Sequence, residues 1–261
     1  MKTRIITAII GLIIVLPIII YGRLPFIVIA YLLALIGLFE LIRMYKPKGI
    51  FTYLLFSILF LVALIYPSNT ITFFDLTLDK GDILLLLGSF LLSLTVFTKN
   101  KFNFNDAGFL LITTMYIGLS FFYLIEVRSA GLNYLLFILF VIWSTDSGAY
   151  FFGKAFGKRK LWPEISPNKT IGGALGGILM AVVVGIIYQV VYPFDFSLVV
   201  IVLYALLISV VGQVGDLVAS GFKRHYDVKD AGNLFPGHGG VLDRLDSLIF
   251  VMLVLYIIEF V

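Results

Sequence analysis

The sequence predicts an all-α, polytopic integral membrane protein of about nine transmembrane helices, with its N-terminus cytoplasmic and its C-terminus outside. Three observations predict it. The 261 residues are 61% hydrophobic and only 13% charged, with a mean hydropathy of +1.09, whereas ordinary globular domains carry about 25% charged residues. Apolar runs recur along the whole chain, and a run of roughly 20 residues crosses a ~30 Å hydrocarbon core. The basic residues alternate sharply between the loops that join those runs. The chain contains no cysteine, which excludes a disulfide framework and a thiolate metal site.

The first run, near 5–22, follows Lys2 and Arg4 as the core of a signal peptide would, but no small-x-small cleavage site follows and Arg23 closes it, so it reads as a span. The next runs lie near 25–42 and 50–66. Glu40, at the end of the second, reads as an interfacial acid or as the i,i+3 partner of Arg43. "YPSNTITFFDLTLDKGD" then reads as a connector, and spans near 82–98 and 107–125 follow. The sixth, near 132–152, carries Asp146 and Tyr150 four residues apart, beside the small residues Ser144, Ser147 and Gly148, a face suited to close helix packing. The seventh, near 173–192, opens on "GGALGG", two G-x-x-x-G frames that also read as packing. The eighth, near 196–219, runs into "VGQVGDLVASGFKR", where Gln213, Asp216, Ser220 and Lys223 fall on one helical stripe. The ninth is near 246–261. This organises the chain as an N-terminal transmembrane region, 1–131, of about five spans, and a C-terminal transmembrane region, 132–261, that carries two polar loops, at 153–172 and 220–245, and with them everything that looks like chemistry.

Orientation follows from positive charge, because short loops rich in Lys and Arg stay cytoplasmic. With nine spans, sixteen of the 19 basic residues fall on one side and only Arg23, Lys80 and Arg128 on the other. Both long polar loops then share the cytoplasmic face. Their basic residues would attract anionic lipid head groups and nucleotide phosphates. Lys158, Arg159 and Lys160 read mainly as topology and lipid attraction, whereas Lys169, constrained in "SPNKTIGG", reads as a phosphate contact. No nucleic-acid partner is expected.

The densest chemistry is "GNLFPGHGGVLDRLDS", residues 232–247. Its Pro-Gly and Gly-Gly pairs force a tight turn around His238, while Asp243 and Asp246, three apart, share a face of the last helix. An ionisable residue inside a span costs at least ~2.5 kcal/mol and marks function by default. Asp216, Asp243 and Asp246 could therefore converge on Mg²⁺, which takes one or two carboxylates plus substrate phosphates. Asp243 or Asp246 could instead cap the last helix. "GAYFFGKA" has a P-loop frame, but Ala155 stands where the Mg²⁺-binding hydroxyl belongs and a membrane helix precedes it, so it is not one.

The segment Ser220 to Asp246 resembles the signature of the phosphatidate cytidylyltransferase family, the CDP-diacylglycerol synthases. It carries Ser220, Lys223-Arg224, Lys229-Asp230, Gly232, Pro236, His238-Gly239-Gly240, Asp243-Arg244 and Asp246. The stretch Asp146 to Gly177 resembles the family's upstream block, except that Gly172 stands where many relatives have an acidic or amide side chain. The resemblance implies transfer of CMP from CTP to phosphatidate, giving CDP-diacylglycerol and pyrophosphate, with Mg²⁺ required and a homodimer as a further family expectation; the acids leave open one metal ion or a second beside it. It casts Asp216, Lys223, Arg224, His238, Asp243, Arg244 and Asp246 as catalytic, and Asp146, Lys169, Ser220, Lys229 and Asp230 as substrate-binding. Asp216, Asp243 and Asp246 would be the metal ligands. Two other readings share the apolar build: a CTP-dependent lipid kinase, and a cation-coupled transporter using Asp146 and Asp216 as its ion path.

Overall fold

A computed structural model describes the backbone of residues 2–45, 50–235, 237 and 239–261, and their side chains from Gly11 onward except at Leu12, residues 50–53 and Phe73. Nine helices form among these residues: α1 (Lys2–Tyr21), α2 (Arg23–Tyr45), α3 (Ile50–Ile65), α4 (Lys80–Phe97), α5 (Phe104–Ala130), α6 (Leu132–Phe156), α7 (Ile171–Val191), α8 (Leu198–His225) and α9 (Leu242–Ile257). Six of them, α2 and α4 to α8, are long and apolar enough to cross a membrane. The chain is a multi-pass membrane protein by that measure.

Two short antiparallel hairpins correct the expectation of plain connecting loops. β1 (Thr70–Phe73) pairs with β2 (Leu76–Asp79), and β3 (Lys160–Trp162) with β4 (Ser166–Thr170). The first hairpin was legible in principle: "TITF" and "LTLD" alternate with β-branched residues, and Phe74 turns the chain at φ 52°. The polar loops are also shorter than expected. α6 runs on to Phe156 and α8 to His225, and both end in basic residues, Lys154 in one and Lys223, Arg224 and His225 in the other. Cations at a helix C-terminus complement its dipole.

The chain forms two compact units. The first comprises residues 1–126 and 231–242, the second 127–230 and 243–261. The first unit thus takes in twelve residues of the signature, 231–242.

In the first unit, α2 packs on α1 and α3, and α3 on α4. Gly22, at φ 69°, ends α1, its amide bonding Ile18 O at 2.9 Å. α4 opens with a reciprocal capping box between Asp79 and Asp82. Its first residue, Lys80, is buried and donates to Ala63 O at 3.3 Å and Tyr66 O at 2.9 Å, carbonyls at the end of α3 that no helical amide can satisfy. The ammonium also lies 4.4 Å from the Phe122 ring centroid.

In the second unit, α6, α7 and α8 pack together closely. A Cβ at Gly148 would lie 2.8 Å from Gly176 O, and one at Gly177 2.8 Å from Thr145 O, so the "GGALGG" frame serves the close α6–α7 approach expected of it. Gly177→Val should therefore lower stability by about 1–3 kcal/mol through overpacking, visible as a lower thermal midpoint in detergent. The buried Thr145 hydroxyl bonds Ser209 on α8 at 3.0 Å. At the other end of the unit, the Gln189 amide closes the loop after α7 through Phe194 N, Phe194 O and Phe196 O.

Candidate active site

The second unit holds a cavity of about 860 Å³. α6 contributes Asp146, Tyr150 and Lys154; the β3–β4 hairpin contributes Lys160, Asn168, Lys169 and Thr170; α8 contributes Gln213, Asp216 and Lys223; and α9 contributes Asp243, Arg244 and Asp246, with Asp230 beside them. Helical spacing accounts for the convergence on α8 and α9, where Asp216 and Lys223, and Asp243 and Asp246, recur at intervals that return to one face.

Two ion pairs order the charges. Lys169 Nζ lies 2.5 Å from Asp216 Oδ2 and 3.5 Å from Gln213 O. Lys223 Nζ lies 2.8 Å from Asp243 Oδ1. The pairs differ in burial: the side chains of Lys169 and Asp216 are 26% and 35% exposed, those of Lys223 and Asp243 only 16% and 5%. Ser220 Oγ donates to Asp216 Oδ1 at 3.4 Å, extending the predicted α8 stripe. Asp246 accepts the Ser247 amide at 2.8 Å and lies within the electrostatic reach of Asp216 and Asp146.

Eight of the sequence-predicted site residues therefore line one cavity: Asp146, Lys169, Asp216, Lys223, Asp230, Asp243, Arg244 and Asp246. Ser220 stands behind Asp216. Arg224 and Lys229 are exposed and outside the lining; Arg224 Nε instead bonds Ile165 O at 3.4 Å and ties the hairpin turn to α8. His238 lies outside the described residues. Lys160, read from the sequence as lipid attraction, lines the cavity, as does Lys154. Lys169 is not held in a loop of converging amides, as expected, but on strand β4, with Thr170 capping α7 through Gly173 N at 3.1 Å.

The expected three-carboxylate metal cage does not form among the described residues, where no group of three His, Cys, Asp or Glu is placed to hold an ion. Asp243 is committed to Lys223 and Asp216 faces Lys169. The donor chemistry still fits Mg²⁺ in a narrower sense. Asp216 and Asp246 offer hard oxygens on one cavity, and Mg²⁺ takes one or two carboxylates while phosphate oxygens complete its shell. The lining carries five acidic and five basic residues, too little net positive charge to receive polyphosphates unaided.

The sequence missed the part that Glu40 plays. Glu40 is 3% exposed, and in the first unit its Oε1 accepts the Val241 amide and its Oε2 the Leu242 amide, each at 2.9 Å. It thereby caps α9, the role considered for Asp243 or Asp246. No local spacing could disclose a partnership across 201 residues; only the cost of a carboxylate in an apolar span pointed to it.

The pattern of the cytidylyltransferase family matches residues 2–261. The chain belongs to that family. Phosphatidate cytidylyltransferase of Bacillus subtilis (strain 168) is 47% identical over 259 residues, 98% of this chain and 96% of the relative. The proteins of that name from Staphylococcus haemolyticus (strain JCSC1435) and Staphylococcus aureus (strain COL) are 45% and 43% identical over 258 residues, each covering 99% of this chain and 98% of the relative. Family membership makes the chain an enzyme of the nucleotidyltransferase class, and the signature loop, with Glu40 beneath it, lies inside the matched length.

Proposed function

We propose that this chain transfers CMP from CTP to phosphatidate, forming CDP-diacylglycerol and pyrophosphate in phospholipid biosynthesis. The observation that carries the proposal is the cavity in which Asp216, Asp246 and Asp146 meet Lys169, Lys223, Lys154, Lys160 and Arg244, built from apolar helices and the β3–β4 hairpin, in a chain 47% identical to a phosphatidate cytidylyltransferase. A phosphatidate oxygen attacks the α-phosphorus of CTP, the new P–O bond forms, and the bond to the β-phosphate breaks with its electron pair leaving on pyrophosphate. The nucleophile is already an anion, so no general base is needed. The work left to the protein is positioning and charge neutralisation.

Lys169, Lys154, Lys160 and Arg244 hold phosphate groups, and Lys223 orders Asp243. Asp146 orients the substrates from α6. Asp216 and Asp246 would hold Mg²⁺, which when bound supplies charge stabilisation at the phosphoryl oxygens and the departing pyrophosphate. His238, outside the described residues, would protonate the departing pyrophosphate. The nine helices each span the membrane in this reading, the cavity opens at the cytoplasmic face of the cell membrane, and CTP arrives from water while acyl chains stay in lipid. The alternation of basic loops supports that orientation. A homodimer belongs to the same proposal.

The test uses purified protein in detergent with phosphatidate, Mg²⁺ and CTP labelled at the α- or the γ-phosphate. Label from the α-position alone should enter the lipid and vanish on omission of phosphatidate or addition of EDTA. Label from the γ-position would make the chain a lipid kinase, and cytidylyl transfer undiminished by EDTA would remove Mg²⁺ from the proposal.

A further inference from the structure

The described residues of the stretch 231–242 contain little regular structure of their own. Apart from the bridge between Phe235 and Gly239, the described loop has few internal backbone bonds, yet it ends at the first turn of α9, where helix amides have no helical acceptor. The Glu40 carboxylate fills that vacancy with two bonds of 2.9 Å, to Val241 N and Leu242 N. Bonds from amides to a charged acceptor are stronger than neutral ones, and a carboxylate at a helix N-terminus also complements its dipole.

The loop is shaped around this carboxylate. A Cβ at Gly240 would lie 2.5 Å from Glu40 Cδ, and one at Gly232 2.7 Å from the same atom. Neither glycine is among those with positive φ, so space around Glu40, not backbone conformation, excludes a side chain at both positions. Two glycines of the signature and an acid from α2 are one construction.

We propose that Glu40 is a positioning residue for the transfer: by anchoring the signature loop and the start of α9, it sets where the next two residues in the chain, Asp243 and Arg244, present their side chains. The inference rests on the proposed cytidylyl transfer. Misplacing reacting groups by about 1 Å costs on the order of 10²-fold in rate, whereas Lys154, Lys160 and Lys169 belong to elements that Glu40 does not hold. Glu40→Gln should therefore lower kcat by about 10²-fold and leave KM for CTP within about 3-fold. Gln puts an NH₂ group against one of the two amide donors, so one bond is replaced by repulsion.

The experiment combines kinetics of wild type, Glu40→Gln, Gly240→Ala and the double variant with hydrogen exchange over residues 231–242 in the full-length protein. Support requires slow exchange at Val241 and Leu242 in wild type, faster exchange in the variants, the kcat-selective loss, and a double variant no worse than the poorer single one, as expected when both changes break one anchor. Unchanged kcat in Glu40→Gln, a loss confined to KM, or fast wild-type exchange at Val241 and Leu242 would overturn the proposal; the last needs no variant to fold. If the wild type transfers no label, the proposed reaction fails and this positioning role fails with it, while the exchange data still decide whether Glu40 anchors the loop.

Discussion

Lys223→Met should be the most damaging single change in the cavity, losing activity and stability together. Lys223 stands 2.8 Å from Asp243, whose side chain is only 5% exposed. Breaking a buried pair by removing one partner leaves a charge with little access to water, at a cost of about 3–5 kcal/mol. The thermal midpoint in detergent should fall accordingly, and transfer of α-label should drop with it. Asp243→Asn added to Lys223→Met removes the stranded charge and should recover most of the midpoint. It should not recover transfer, because the charge order at the start of α9 is gone. A double variant that regained both would make the pair a structural fastening with no part in the reaction. A Lys223→Met protein of wild-type midpoint would show that Asp243 is better solvated than its burial implies.

The legible and illegible parts of this molecule divide along a physical line. Composition and periodicity located the apolar helices to within a few residues, because burial in lipid acts on each run separately. They overextended the polar loops because a terminal Lys or Arg can stay helical while its head group reaches water; α8 continues through Lys223 and Arg224 for this reason. The gathering of Asp216, Asp243 and Asp246 on one cavity was anticipated from their cost and spacing, since both are local properties, whereas Asp146 was placed there only by the family resemblance. Their pairing was not. That Lys169 would meet Asp216, Lys223 would meet Asp243 and Glu40 would cap α9 depends on contacts made across 20 to 202 residues, and one sequence carries no record of such distances. From the sequence the glycines read only as turn formers and signature positions; that a Cβ at Gly232 or Gly240 would meet Glu40 shows only in the structure.

Asp216→Asn should separate what Lys223→Met confounds. The Lys169–Asp216 pair is 26% and 35% exposed, and ion pairs this accessible contribute only about 0–1 kcal/mol. The thermal midpoint should scarcely move. Activity should fall on the order of 10²–10³-fold, the scale for removing one preorganised charge from a reacting site, and the Mg²⁺ concentration for half-maximal rate should rise, because the neutral amide is a poorer ligand than the carboxylate it replaces. Lys169→Met tests the other half of the pair. If Lys169 holds phosphate, KM for CTP rises while the Mg²⁺ requirement does not; if its task is only to hold Asp216, the two variants share one phenotype. Titrating Mg²⁺ and CTP against each variant distinguishes these outcomes. An Asp216→Asn enzyme with unchanged Mg²⁺ dependence would remove Asp216 from the metal and leave Asp246 as the acid to test.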